Sequence, residues 1–217
     1  MRPVTVTVGP LAAASANNIC LTQTPTAATG FTINGALASG GVATLDTPRR
    51  VLITPTGNES ANTFTIVGTN ASNMLQTEVI AGLNATAFYT NLDFKTVTSI
   101  SLANNAAAAI TVGTNNVASS PWVRFDAYAL SQTAIQATVT GTVTYSIQQT
   151  LQDPDSPSAT FPAYNTVFLN TNDTAAVNAT TTVQTSYQYS PTYAKVTITA
   201  GTGSVSTVFT QFGNAPY

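Results

Sequence analysis

Ile135-Gln136-Ala137-Thr138-Val139-Thr140-Gly141-Thr142-Val143-Thr144-Tyr145-Ser146-Ile147 is the stretch that decides the fold. Ile135, Ala137 and Val139 fall on one face of an extended segment, Thr140-Gly141-Thr142 turns the chain, and Val143, Tyr145 and Ile147 share one face of the return strand. A period of two is the period of a pleated strand, whose successive side chains point to opposite sides. The alternate positions carry Thr, Ser and Gln, so the outer face is covered by hydroxyls and amides where most proteins place charge. Thr and Val are stiff at χ1 and suit a pleated surface better than a helix.

The same alternation recurs outward from this stretch. Phe31-Thr32-Ile33 leads into Asn34-Gly35, a dipeptide suited to a type I′ hairpin turn, and Thr44-Leu45-Asp46 leads through Pro48 to Arg50-Val51-Leu52-Ile53-Thr54. Residues 63–67 alternate, Gly68-Thr69-Asn70 reads as a turn, and 75–80 alternate again before Ala81-Gly82. Residues 94–102 and 109–113 read as a hairpin joined by Asn104-Asn105. Residues 167–169, 180–188, 193–199 and 205–212 supply a second strand set, while Asp153-Pro154-Asp155-Ser156-Pro157 is a loop because its prolines deny a ladder its donors. The expected fold class is all-β, with two β-sandwich domains in tandem, Ig-like or jelly-roll-like, over 1–117 and 118–217. Turn signals every ~8–12 residues support sandwiches. The cluster of turn formers over 113–121 marks the linker. A Lys in each of Asp93-Phe94-Lys95-Thr96-Val97 and Tyr193-Ala194-Lys195-Val196-Thr197 hints at an internal duplication.

Composition then removes whole classes of chemistry. The 217 residues contain no His, one Cys, and only 6 Lys plus Arg against 8 Asp plus Glu. No Ser-His-Asp or Cys-His pair can be assembled, and no imidazole can ligate zinc. A single cysteine excludes an internal disulfide framework, and Cys20 reads as a small buried hydrophobe. With a net charge of −2 and scattered cations, the chain lacks a basic stripe for nucleic acid. No apolar run approaches the ~20 residues of a membrane helix, and the first residues alternate like a strand where a signal peptide would carry an apolar core. No catalytic, metal or cofactor site is expected, and nothing should titrate strongly between pH 6 and 8.

A few residues nevertheless stand out. Asp153 and Asp155 are the one close carboxylate pair, a beginning for calcium but short of its six to eight oxygens. Arg49 and Arg50 are the one adjacent cation pair, suited either to gripping an acidic patch or to an internal bridge from one of them to a strand-end carboxylate such as Asp46 with the other in solvent. Trp122, after the linker, is a binding hot spot or a seal between domains. Tyr187, Tyr189 and Tyr193, with Tyr217 at the end of the sequence, form either an interface or a core. These seven residues are the candidate interface. The five Asn-X-Ser/Thr sequons, starting at Asn58, Asn70, Asn84, Asn172 and Asn178, are expected from so much Asn and Thr.

Several phrases carry a resemblance. Arg49-Arg50-Val51-Leu52-Ile53-Thr54, Gly57-Asn58-Glu59-Ser60, Phe64-Thr65-Ile66-Val67-Gly68-Thr69-Asn70-Ala71, Glu78-Val79-Ile80 and residues 93–100 together resemble small structural proteins of tailed bacteriophages, short-tailed ones above all. In the second half, residues 140–147, Asp153-Pro154 and Gly201-Thr202-Gly203-Ser204-Val205 are similar to modules of the same class. These are strand-and-turn phrases, so they carry no site residue across. The resemblance implies a non-enzymatic virion protein made in the bacterial host cytoplasm. Foremost is a capsid decoration or cement protein, bound to the major capsid protein or other virion proteins and homo-oligomeric on the particle. A tail, collar or head-fibre attachment protein is the alternative. From a different class, a carbohydrate-binding adhesin module is the rival, since sandwiches host such sites in loops.

Overall fold

The computed structural model describes residues 3–126, 133–154, 166–187 and 190–211. Those residues form strands throughout, with one 3₁₀ turn at Thr174–Ala176 and no α-helix. The fold is all-β. Contacts group the chain into two compact units, one of Ala12–Asn116 and one of Met1–Leu11 with Val117–Tyr217. The grouping changes between 116 and 117, and the first eleven residues group with 117–217 and not with the residues that follow them. The physical reason is pairing: β1 (Val4–Val8) runs antiparallel along the last strand, with Val4 opposite Phe209 and Val8 opposite Val205.

Within Ala12–Asn116 the strands are β2 (Ser15–Gln23), β3 (Ala38–Ser39), β4 (Val42–Arg49), β5 (Val51–Pro55), β6 (Thr63–Thr69), β7 (Leu75–Ala81), β8 (Phe88–Tyr89), β9 (Phe94–Leu102) and β10 (Ile110–Thr114). One sheet has the order β2-β10-β5-β8 and the other β3-β4-β9-β6-β7. Inward residues of both, among them Ile19, Val51, Ile53, Phe64, Ile66, Phe94, Val97, Ile110 and Val112, form a single apolar cluster. Two sheets closing on one core make the unit sandwich-like.

The other unit adds β11 (Ala118–Ser119), β12 (Val123–Arg124), β13 (Thr133–Thr140), β14 (Val143–Thr150), β15 (Leu169–Asn170), β16 (Val183–Tyr187), β17 (Tyr193–Gly201) and β18 (Ser204–Gln211). Its sheets run β1-β18-β13-β16 and β11-β17-β14-β15, with β12 also on β17. Val8, Phe125, Ile135, Tyr145, Ile147, Val196, Val205 and Phe209 belong to its shared core.

Alternation alone does not say which strand pairs with which, and here the expected hairpins give way. β13 and β14, the two halves of the opening stretch, lie in opposite sheets: β13 pairs β18, and β14 pairs β17. Ile135 and Ala137 therefore meet Tyr145 and Ile147 across the core and do not share a ladder. β17 and β18 cross over in the same way, and the two corners sit together, with the N–H groups of Thr202 and Gly203 donating to the Thr142 carbonyl. Gly141 and Gly201 turn these corners at φ 78° and 93°, in the left-handed region that favours glycine. β9 and β10 likewise lie in different sheets, so residues 94–113 form a crossover where a hairpin was expected.

Three turns also move. The I′-type turn is Gly40-Gly41, with φ 59° and 80°, between β3 and β4. Residues around Asn34-Gly35 instead run beside β2, where the Gln23 amide exchanges two hydrogen bonds with Thr32 in the manner of a backbone group. Gly68 and Thr69 belong to β6, and the turn follows at Asn70, whose side-chain oxygen accepts the N–H groups of Ser72 and Met74. Gly113, expected in the linker, lies in β10.

Gly68 is in the strand because of a close approach. A Cβ there would lie 1.9 Å from the Thr96 carbonyl oxygen, beside the register shift that opens between Val67 and Gly68. Gly68→Ala is expected to lower unfolding free energy by about 2 kcal/mol or more, read from the urea midpoint. Removing residues 1–9 uncovers β18, and faster amide exchange is expected in β13, β17 and β18 with β4, β6 and β9 unchanged, as hydrogen exchange followed by mass spectrometry would record.

Candidate functional site

A chain with so few charges is expected to leave them in water, yet several are buried. Arg49 and Arg50 are 1% and 4% exposed, at the point where β4 leaves one sheet and β5 enters the other. Arg49 donates from Nη1 to the Ala12 carbonyl at 2.8 Å and from Nη2 to Thr114 Oγ1 at 3.1 Å. Its Nε lies 3.2 Å from Asp46 Oδ1, an ion pair without hydrogen-bond alignment. Asp46 in turn accepts the Ala12 N–H at 2.7 Å, so the Asp46–Arg49 pair clamps both backbone groups of one residue. Burial pushes the Arg49 guanidinium below its ordinary value, and Asp46 opposes that. Arg50 pairs with Asp93 at 3.0 Å and donates to the Thr90 carbonyl at 2.8 Å. The arginines thus face inward, both as internal bridges, and neither presents its guanidinium to a partner.

Two carboxylates missed in the sequence do similar work. Glu59, 1% exposed, accepts from Asn62 Nδ2 at 2.7 Å and from the Ala107 and Ala108 N–H groups at 2.8 and 3.3 Å. It ties the β5–β6 connection to the β9–β10 crossover. Glu78, fully buried on β7, accepts the N–H groups of Asn91 at 2.6 Å and Leu92 at 2.8 Å. Burial raises its pKa most, with Asp93 adding to the rise, while the two backbone donors and Arg50 pull the other way. A signal for Glu78 existed: it shares the inward period-two register with Gln76 and Ile80.

The remaining candidates lie in the unit that contains β11 to β18. Tyr187 is buried, edge-to-face with Phe125 at 6.2 Å, and Tyr193 is buried with its hydroxyl donating to Asp153 Oδ1 at 2.8 Å. Both fill the unit's interior. Tyr189, Tyr217 and Asp155 lie outside the described residues. Trp122 is half-buried and stacks edge-on with Phe168 at 6.2 Å. Lys195 Nζ sits 4.5 Å from the Trp122 ring centre and 4.4 Å from that of Phe168. A desolvated ammonium over an aromatic face contributes roughly 2 kcal/mol, so Trp122 and Phe168 already hold a cation of this chain. Cys20 is buried and its thiol is pushed up to about 12 by desolvation, which keeps it out of thiolate chemistry. Among the described residues no three metal-ligating side chains converge, and no helix is long and apolar enough to cross a membrane.

A cavity of about 700 Å³ lies where β14 ends beside β15 and β16. That volume falls within the ~300–1,000 Å³ typical of small-molecule sites. Leu151, Val167 and Leu169 form exposed apolar walls; Gln149, Asn172 and Asp173 are among its polar groups, and Tyr187 also lines it. Gln149 Oε1 is buried without a hydrogen-bond partner, a cost of about 1–3 kcal/mol. Burial pushes the Tyr187 phenol up, with the nearby Thr171 hydroxyl opposing weakly. Asp173 caps the 3₁₀ turn through the Ala175 N–H at 2.9 Å and accepts the Thr185 hydroxyl; these bonds hold its carboxyl below the ordinary value, the Thr185 bond more strongly.

No protein-family model, characterised protein or solved structure matches this chain.

Glu59→Ala leaves the Asn62, Ala107 and Ala108 donors without their acceptor and is expected to cost about 3 kcal/mol or more in chemical denaturation. Glu78 gives a pH test. A carboxyl whose folded pKa lies above its ordinary 4.5 contributes stability that is full below 4.5 and is lost as pH rises through the folded value. Wild-type stability should therefore fall as pH climbs from 4.5 upward, and Glu78→Gln should remove that fall, in urea titrations across pH.

Proposed function

We propose that the protein is a non-enzymatic structural component of a bacteriophage particle, a decoration or cement protein on the outer capsid surface. The observation that supports this best is the outer face of β6 and β7. Thr63, Thr65, Val67 and Thr69 stand beside Ala81, Val79, Thr77 and Leu75, and none of the eight carries a formal charge. Leu75 is 82% exposed, Met74 next to it 61%, and β7 is the last strand of its sheet among the described residues. An apolar, hydroxyl-bearing face that ends in an unpaired strand edge is a surface on which another chain can add strands or bury area. Meanwhile Arg49, Arg50, Glu59, Glu78 and Lys195 are buried, so much of the scarce charge is committed to holding loops and not to chemistry or steering.

In this reading the β6–β7 face buries against capsid subunits or copies of the same protein, adding area across joints that internal pressure opens. Ion pairs contribute little, because so few charges are exposed. The protein should be present in capsid-scale copy number when purified particles are quantified by mass spectrometry; absence from particles would end the proposal, and tail-scale numbers would move it to the tail or collar.

Retention on particles should survive a rise from 0.1 to 1 M NaCl, over which the Debye length shrinks from ~10 to ~3 Å. Val79→Lys, which places a charge on the exposed face, should weaken retention while leaving the melting temperature within about 2 °C of wild type. Release of most wild-type protein at high salt, or full retention of the variant, would contradict docking through this face.

A further inference from the structure

The cavity between the ends of β14, β15 and β16 selects its ligand by charge and by shape. Among the described residues that line it only Asp173 is charged, and none is Lys or Arg. Phosphates, nucleotides and carboxylates have nothing there to neutralise them. The Asp173 carboxylate spends two of its acceptor positions on the Ala175 N–H and the Thr185 hydroxyl and keeps its charge, so it repels anions and has acceptor room left for a ligand hydroxyl. A ligand without negative charge is left.

The walls then say which kind. Leu151, Val167 and Leu169 are 79%, 62% and 67% exposed, an apolar surface for the C–H face of a ring. Opposite chemistry comes from Asn172 and Gln149, whose amides offer donors and acceptors together, as paired hydroxyls require. The Gln149 side-chain oxygen is left without a partner by the fold. We propose that this cavity is a binding site for a neutral saccharide, with a sugar ring laid on Leu151, Val167 and Leu169 and its hydroxyls held by Asn172 and Gln149. This site is separate from the β6–β7 face and does not depend on the particle reading.

The test uses the full chain on a printed array of neutral and acidic oligosaccharides, followed by calorimetric titration with the strongest neutral member. Binding in the range of about 1 mM or tighter is expected. Asn172→Ala and Leu169→Ala, both at exposed positions, should each weaken it at least about fivefold, the loss of one hydrogen bond or one apolar contact. Both should keep the wild-type melting temperature, which separates lost binding from lost folding. Retention of no neutral glycan, preference for acidic glycans, or undiminished binding by both folded variants would overturn the proposal. None of these outcomes would alter retention on particles, which reads the other surface.

Discussion

Sheet-switching is the constraint on which the rest of this structure depends. Each time a strand leaves one sheet for the facing one, the hydrogen-bond ladder stops and backbone groups near the crossing lose their partners inside the protein. In the unit of Ala12–Asn116 those groups are met by charged side chains, the clamp of Asp46 and Arg49 on Ala12, Arg50 on the Thr90 carbonyl and Glu59 on residues 107 and 108, while Glu78, whose ionisation burial opposes, meets residues 91 and 92. A charge buried against fixed backbone dipoles makes stronger bonds than a neutral group, and removing it leaves several orphans at once. Charge here is a structural material, placed where strands change sides.

The other unit solves the same problem with less charge. Its two adjacent corners share the Thr142 carbonyl between two donors, and glycines allow the backbones to close on each other. Where a charge is buried, as at Lys195, aromatic rings receive it. The two units therefore reach similar sandwiches by different local chemistry, which weighs against reading much into the echo between Lys95 and Lys195: Lys95 Nζ reaches toward the Leu45 carbonyl, while Lys195 lies on two rings.

Much of this was legible beforehand, and the part that was not has a definite cause. Period-two alternation reports which side chains face inward, so the all-β class and most core residues, such as Ile135, Tyr145, Ile66 and Phe64, follow from it. It is blind to whether consecutive strands pair or face each other across a core, because both arrangements bury the same residues; hence the hairpins expected at 135–147 and 94–113 are crossovers. Gly68 and Gly113 look like turn residues in sequence, but each is a point of close backbone approach inside a strand. The arginine pair was visible and its direction was not, since a guanidinium can be satisfied equally by an acidic partner or by carbonyls of its own chain. The cavity draws short runs from the end of β14, from 167–173 around β15, and from the end of β16 onward, with no motif in any one of them.

The placement of β1 bears on how the chain acquires its fold. Val4 pairs with Phe209, so an early strand waits for one of the last to be made, while Ala12–Asn116 falls in sequence between the two segments of the other unit. That unit contains every strand of its own two sheets and can close during synthesis without the rest. Its closure brings residue 12 near residue 114, through Arg49, and so shortens the effective loop that β1 must span to reach β18. Closure of Ala12–Asn116 therefore lowers the loop entropy that pairing β1 with β18 must overcome.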